Sequence, residues 1–203
     1  MNDQAATSEP AMYGISWDPE PWMRRPAFLG DVHAMLDTNG VTPSGPRGIA
    51  TGLMYLLLKP GLQATGLYRL ARWFGRRRVP AVPELLCLFA YYLTGCEISA
   101  RAEIGVGLVI QHAQGIVVHG DAELGRHVKL LSGVVIGERP GQQRQGAPTI
   151  RDHVTIGTGA KLLGAIDVGD WSAIGANAVV LADVPAHSSA VGIPARVRPR
   201  GGR

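Results

Sequence analysis

From position 98 to 181 an aliphatic or small apolar residue returns every six positions. Ile98, Ile104, Ile110, Ile116, Ala122, Val128 and Val134 share one frame, and after an interruption Ile150, Ile156, Leu162, Val168, Ile174 and Val180 resume it. A helix repeats near 3.6 residues and a half-buried strand at 2, so neither explains a strict six. The period predicts short strands wound into a triangular prism, each hexapeptide supplying one face and one inward side chain. Gly follows the aliphatic residue at Gly105, Gly157, Gly169 and Gly175. Small residues recur four places after it, at Ala102, Gly120, Ser132, Ala160, Ser172 and Ala178. These positions are expected at tight corners, where a bulky Cβ does not fit and Gly can take a positive φ.

Upstream the pattern changes. PAFLGDVHAMLD predicts a short helix and TNGVTPSGPRG a loop. Apolar residues at helical spacing predict one helix ending near Lys59, a second from Gly61 to Phe74, and a third from Pro83 to Thr94 that is apolar nearly all round. Arg76 to Pro83 reads as a basic turn, and Gly95 hands over to the repeat. The fold class is therefore α+β: N-terminal helices followed by a parallel β-helix with one long ejected loop. The expected divisions are an extension over 1–49, a helical region over 50–95, the β-helix over 96–185 with its loop at 137–149, and a tail over 186–203. Residues 1 to about 25 are polar, carry Pro10, Pro19 and Pro21, and are expected to be loosely attached. The loop follows from the frame: Val134 to Ile150 is sixteen positions where six are expected, so about ten residues are extra. A polar loop of that length inside a compact domain points to function.

Composition narrows the class. Gly, at 27 of 203 residues, is used at about twice the average, as a turn-rich solenoid requires. The net charge of +4 gathers at Arg76, Arg77, Arg78 and at Arg196, Arg198, Arg200, Arg203. No recognition motif accompanies it, so nucleic acid is not an expected partner, whereas an anionic small ligand suits some of these arginines. Cys87 and Cys96 are too few for a disulfide framework and read as buried free thiols in a reducing compartment. The start MNDQAATSEP lacks the charged-then-apolar order of a signal peptide, and LLCLFAYYL is too short to span a bilayer. A cytoplasmic protein is expected, with an amphipathic helix resting on a membrane as an open alternative. His119, His127 and His153 do not reproduce a converging ligand set, so no metal is expected.

His112 lies in IQHAQGIVVHG, directly after the inward Ile110, and so projects near a corner rather than into the core. Glu97 lies fifteen residues earlier, close to one eighteen-residue coil, which makes the two candidate neighbours on stacked coils. A carboxylate beside an imidazole fixes its tautomer and stabilises the imidazolium, as a general base acting on a hydroxyl needs. The same spacing also fits a histidine that is only hydrogen-bonded at a coil corner.

From about Leu56 to Arg198, about seventy per cent of the chain, the sequence resembles the serine O-acetyltransferases and their relatives in the hexapeptide-repeat acyltransferase superfamily. PGLQATGLYRLARWF resembles the family's helical lead-in, AEIGVGLVIQHAQGIVVHGDAELG its active-site coil, and IGTGAKLLGAIDVGDWSAIGANAVVLADVPAHSSAVGIPARV its closing coils. The resemblance implies a left-handed β-helix, acetyl-CoA as donor and a site between subunits of a homotrimer. His112 falls on the family's catalytic base and Glu97 on the acid that orients it. The pantetheine arm is expected near Thr158, Gly159, Ala160 and Ala176, and the nucleotide phosphates near Arg196. Trp171 is expected to pack on a neighbouring subunit or on the cofactor.

The departures concern the acceptor. Gln111 stands where serine-acetylating members carry Asp, and Gly146 and Ala147 stand where they carry Arg-His before the loop-ending Pro148. A family Asp ahead of the lead-in aligns with Ala50. Gln111 and Arg144 are the remaining candidates to hold the acceptor. The expectation is an acetyl-CoA-dependent O-acetyltransferase whose small hydroxylated acceptor is a sugar or pathway intermediate rather than free serine. A true serine O-acetyltransferase of cysteine biosynthesis, or a non-catalytic solenoid binding module, are the alternatives.

Overall fold

The computed structural model describes residues 27–41, 45–141 and 145–200. The expectation for residues 1 to about 25, and Arg144, lie outside them. Four helices lead: α1 (Ala27–Thr38), α2 (Gly45–Leu58), α3 (Pro60–Arg76) and α4 (Val82–Thr94). Pro60 at the first position of α3 and Gly95 in the left-handed conformation after α4 are the start and stop that the sequence offers. The α2 helix takes in GPRG, which the composition assigned to a loop. No helix among the described residues is long and apolar enough to cross a membrane.

Five coils follow. The first is β1 (Cys96–Ile98), β2 (Glu103–Ile104) and β3 (Val109–Ile110); the second is β4 (Ile116–Val118), β5 (Glu123–Leu124) and β6 (Lys129–Leu130). The third is β7 (Val135–Gly137), β8 (Thr149–Ile150) and β9 (Thr155–Ile156); the fourth is β10 (Lys161–Leu163), β11 (Asp167–Val168) and β12 (Ala173–Ile174). The last holds β13 (Val179–Val180) and β14 (Ser188–Val191), after which β15 (Arg196–Pro199) folds back antiparallel. The solenoid thus runs past residue 185, and the expected tail is in part a strand pair closing it. The first face is β1-β4-β7-β10-β13, the second β2-β5-β8-β11, and the third β3-β6-β9-β12-β14 edged by β15. Within the coils every pairing is parallel.

The register corrects the six-residue frame. Ile98 pairs with Val118, not Ile116, a step of twenty residues, and Cys96 is the partner of Ile116. The next step, Val118 to Ile136, is eighteen. Two extra residues therefore sit between β3 and β4, in the segment that carries His112. The frame survived this slip because each coil segment buries two positions, so that Cys96 and Ile98, Ile116 and Val118, Val134 and Ile136 all point inward. The loop accordingly adds eight residues, since Ile136 pairs with Leu162 across a step of twenty-six.

The glycines after the aliphatic residues also have another reason. Gly105 and Gly157 are not in the left-handed region; they are places where coils approach. A Cβ on Gly105 would lie 2.6 Å from the Gly125 carbonyl oxygen, and one on Gly157 would lie 2.7 Å from the Ala176 nitrogen. Positive φ falls two residues further on, at Gly107, His127, His153, Gly159, Trp171 and Asn177.

The first coil has no coil above it to take its carbonyls, and the helices supply what is missing. Tyr68 Oη donates to Ala102 O at 2.7 Å, Arg69 Nη1 to Ile104 O at 2.6 Å, and Arg72 Nη1 to Ala102 O at 2.7 Å. Asp31, fully buried in α1, accepts from the Gly107 and Leu108 amides at 2.8 and 2.9 Å and pairs with Arg69 at 2.9 Å. The segment expected to be an extension is therefore bolted into the solenoid by a buried carboxylate.

Candidate functional site

The site is read at the corner where the third face turns into the first. Gln111 to Gly115 form that corner in the approach to the second coil, and the two-residue insertion makes it project. It is held by Cys96 Sγ donating to Ala113 O at 2.7 Å, by the Gly115 amide on Gly95 O at 2.9 Å, and by the Gly133 amide on Gln114 O at 2.8 Å. The start of α3 rests against the strand that leads into it: a Cβ on Gly61 would collide with the Ile110 carbonyl. His112 is exposed with φ 56°. Positive φ is shared by other corner residues, so strain alone does not single it out; the insertion does. The amides of Ala113 and Gln114 have no acceptor among the described residues.

Glu97 lies exposed in β1, one residue from Cys96. Because this coil takes twenty residues, its neighbour one coil on is Val117. The fifteen-residue spacing therefore does not make Glu97 and His112 ladder neighbours. Glu97 stands in the first-face strand beyond that corner, and among the described residues no hydrogen bond joins it to His112.

The same corner runs down the prism as a column of glycines that ends at Asn177, whose side-chain amide fills the space over Gly159. Gly95, Gly115, Gly133 and Gly159 all take φ between 70° and 74°, and Asn177 continues them at 56°. Their amides bond in series: Gly159 N to Ser132 O and Asn177 N to Thr158 O, both at 2.8 Å. Sequence reasoning missed this column, although a polar-Gly pair recurs at Thr94-Gly95, Gln114-Gly115, Ser132-Gly133 and Thr158-Gly159, in steps of twenty, eighteen and twenty-six. Those are the coil steps, and reading them would have exposed the insertion at His112.

Thr158 and Ala176 are exposed on this column and Gly159 is half-buried. Ala160, next to Gly159, is buried with its side chain in the core. Arg196 is exposed in β15. Gly146 and the buried Ala147 end the ejected loop at the opposite edge of the first face, where it turns into the second. Within one chain, His112 and the loop stand on two different edges of the prism.

Trp171 is turned to its own chain. Its ring stacks on His153 at 3.9 Å between centroids, and His153 stacks on His127 at 5.1 Å. A group of His119, Asp121 and Glu138 gathers at the loop corner. Asp121 already pairs with Arg101, and its amide donates to His119 Nδ1 at 3.2 Å, so two of the three groups have partners. A groove of about 730 Å³ lies elsewhere, between α3 and the second face, with Arg69, Arg72, Arg76, Arg77, Glu103 and Arg151 in its wall. Of its five arginines three are engaged, Arg69 by Asp31, Arg72 by Glu103 and Arg151 by Asp167, while Arg76 and Arg77 make no ion pair among the described residues.

No family model matches the chain. A serine acetyltransferase of Synechococcus elongatus is 41% identical over 151 residues, 74% of this chain and 62% of that one. A serine acetyltransferase of Helicobacter pylori is 44% identical over 141 residues, 70% of this chain and 82% of that one. Among solved structures, serine acetyltransferase from Brucella abortus in complex with coenzyme A superposes with a TM-score of 0.76 at 32% identity, covering 87% of this chain and 68% of that one. Soybean serine acetyltransferase complexed with serine gives 0.74 at 31%, over 85% and 68%. The inserted corner, the glycine column and the ejected loop thus sit in a fold shared along most of the chain, which belongs to the serine acetyltransferase family of left-handed β-helix acyltransferases.

Proposed function

We propose that this protein is an acetyl-CoA-dependent O-acetyltransferase with His112 as its general base. The observation that carries this is the inserted corner: two residues break the coil and expose an imidazole at the head of a column of glycines. The column suits the slender arm of coenzyme A, since glycine backbone and the small Thr158 and Ala176 let a chain lie close. Exposed Arg196 is the candidate for the phosphates. When bound, the thioester supplies an acyl carbon. His112 takes the proton from the acceptor hydroxyl and returns it to the departing sulfur. The amides of Ala113 and Gln114 are the candidates to meet charge developing on the acyl oxygen. Glu97 is a positioning residue for the imidazole, not itself a proton carrier.

We read the assembly as a trimer packed on the first face. Its outward row runs Glu97, Val117, Val135, Lys161 and Val179, with Leu163 beside it, three valines and a leucine against two charges, whereas the second face presents Glu103, Glu123, Thr149 and Asp167. With that packing one chain's His112 edge stands beside the next chain's loop edge, so that Gln111 and the loop address one acceptor.

For the acceptor, kinship supports L-serine. The relatives carry that name and one neighbour is complexed with serine, which weighs against the sugar acceptor expected from the sequence. One observation favours a second reading. Gln111 is neutral, Gly146 has no side chain and Ala147 is buried, so these three positions offer no charge to an ammonium or a carboxylate. Without a charge-assisted hydrogen bond, binding is weaker by roughly 1.5–3 kcal/mol for each one missing. Steady-state release of free thiol from acetyl-CoA, with L-serine against a panel of hydroxylated acceptors, decides. A kcat/KM for L-serine above about 10⁴ M⁻¹s⁻¹, ordinary for a true substrate, establishes serine. A value far below it, beside a better acceptor, establishes the second reading.

A further inference from the structure

Two neighbouring peptide units of the His112 corner are held in different ways. In the 114–115 unit the Gln114 carbonyl accepts from the Gly133 amide at 2.8 Å, and the Gly115 amide donates to Gly95 O at 2.9 Å. Both ends of that plane are bonded along the column, to the coil on either side. In the 113–114 unit the carbonyl, Ala113 O, accepts from Cys96 Sγ at 2.7 Å, and Cys96 is a core residue only 1% exposed. Its amide, Gln114 N–H, has no acceptor among the described residues. The bond is trans, and in a trans peptide C=O and N–H point in opposite directions. With the carbonyl drawn in to a thiol of the core, the amide is aimed out of the prism, on the edge where His112 and Gln114 are exposed.

Cys96 is itself fixed. It lies inward in β1 opposite Ile116, and its amide donates to Thr94 Oγ1 at 3.2 Å. Thr94 Oγ1 donates in turn to Ala90 O at 2.7 Å, at the end of α4. Burial pushes the Cys96 thiol up to about 11, so it stays protonated, and a donor, wherever an imidazole can act as a base. No other donor reaches Ala113 O among the described residues.

We infer that Cys96 is a positioning residue: by holding the Ala113 carbonyl inward, its thiol sets the Gln114 amide as the hydrogen-bond donor to the acyl oxygen on which negative charge develops. This role rests on His112 being the base at the same corner, and it singles out one of the two amides there. The Ala113 amide belongs to the 112–113 unit, whose carbonyl, His112 O, accepts no hydrogen bond among the described residues, so no bond fixes its direction. A donor oriented before the reaction needs no reorganisation when the charge appears, and a contact made only then acts on kcat.

Cys96→Ala removes the thiol donor, and Cys96→Ser keeps a hydroxyl in its place. Cys96→Ala should lower kcat about tenfold or more, with KM for acetyl-CoA within about twofold and the His112 limb of the pH–rate profile in place. Cys96→Ser should stay within about threefold of the parent. Crystal structures read the same point without turnover: the 113–114 peptide should turn from its plane in Cys96→Ala and keep it in Cys96→Ser. Cys96→Val fills the space, donates nothing, and replaces Cys96→Ala if that variant does not fold. A kcat within about twofold of the parent in the folded Ala or Val variant overturns the inference. So does an equal loss in Cys96→Ser, a KM that rises in step with the loss, or a 113–114 peptide unmoved without the thiol. Failure of the acyltransferase reading shows separately, as undiminished turnover in His112→Asn or none in the parent, and the crystal structures then decide on the peptide alone.

Discussion

Two edges of this prism are built on the same backbone conformation and filled in opposite ways. Along the site edge, Gly115, Gly133 and Gly159 take φ of 70–73° and leave a bare column. Along the edge between the second and third faces, His127, His153 and Trp171 take φ of 54–59° and stack their rings into a continuous ladder. A left-handed residue other than Gly costs roughly 1–2 kcal/mol. The chain accepts that cost at His127, His153 and Trp171 on one edge, and on the other places glycine at three successive coils before Asn177. The difference teaches that corner geometry and corner occupancy are separable: the solenoid fixes the turn, and the side chain decides between a ligand channel and a structural seam.

The largest expected effect is at the head of the bare edge. His112→Asn should lower kcat by about a hundredfold or more, the range of a lost general base, with the thermal transition unchanged. Glu97→Gln should cost less and shift the pH–rate profile, since it acts through the imidazole. Turnover within a few-fold of the parent in a folded His112 variant would remove the proposed chemistry and turn the bare edge into an unused channel.

Next comes the seam. Trp171→Ala should lower unfolding free energy by about 2 kcal/mol, because the stack and its burial disappear with no relief of the backbone. Trp171→Gly should lose less, because it relieves φ while removing the ring. Chemical denaturation of both, with kcat held as control, reads the pair. If the two variants are equally destabilised, backbone strain contributes nothing on this edge.

A converse substitution fills the bare edge. Ala176 is exposed beside Asn177, so Ala176→Trp has room in the apoprotein. It should raise KM for acetyl-CoA about tenfold, or about 1.4 kcal/mol, while Tm holds. An unchanged KM would move the cofactor off this column.

What the sequence revealed follows the strength of the physical signal. The helices at 60–76 and 82–94 were legible because Pro and Gly punctuate strong apolar spacing. The prism was legible because burial repeats. The insertion at His112 was not, since two inward positions per segment let the frame slip by two without meeting a polar residue. Asp31 was not legible either: a lone acid in a short helix gives no hint that it will be sealed against two amides and an arginine. Trp171 looked like a contact for something outside the chain. Its partner, His153, is eighteen residues earlier, one coil away, and only the register brings them together.

The smallest expected effect is the pH dependence of the seam. Burial, and then the neighbouring His153, hold the His127 imidazole down at about 4 from its ordinary 6.5. The folded chain therefore keeps His127 neutral while the unfolded chain takes up a proton below about 6.5. Stability from this group is complete above that value and declines as pH falls from about 6.5 towards 4. A full shift of this size would be worth roughly 3 kcal/mol at about 1.36 kcal/mol per unit. The ring is only partly buried, and screening leaves a decline of about 1 kcal/mol between about pH 7 and pH 5. His127→Asn should flatten that part of the pH–stability curve, because Asn tolerates the left-handed turn and does not titrate. If the His127→Asn protein keeps the parent's slope over that range, the acid response belongs to the molecule at large and the seam is not its source.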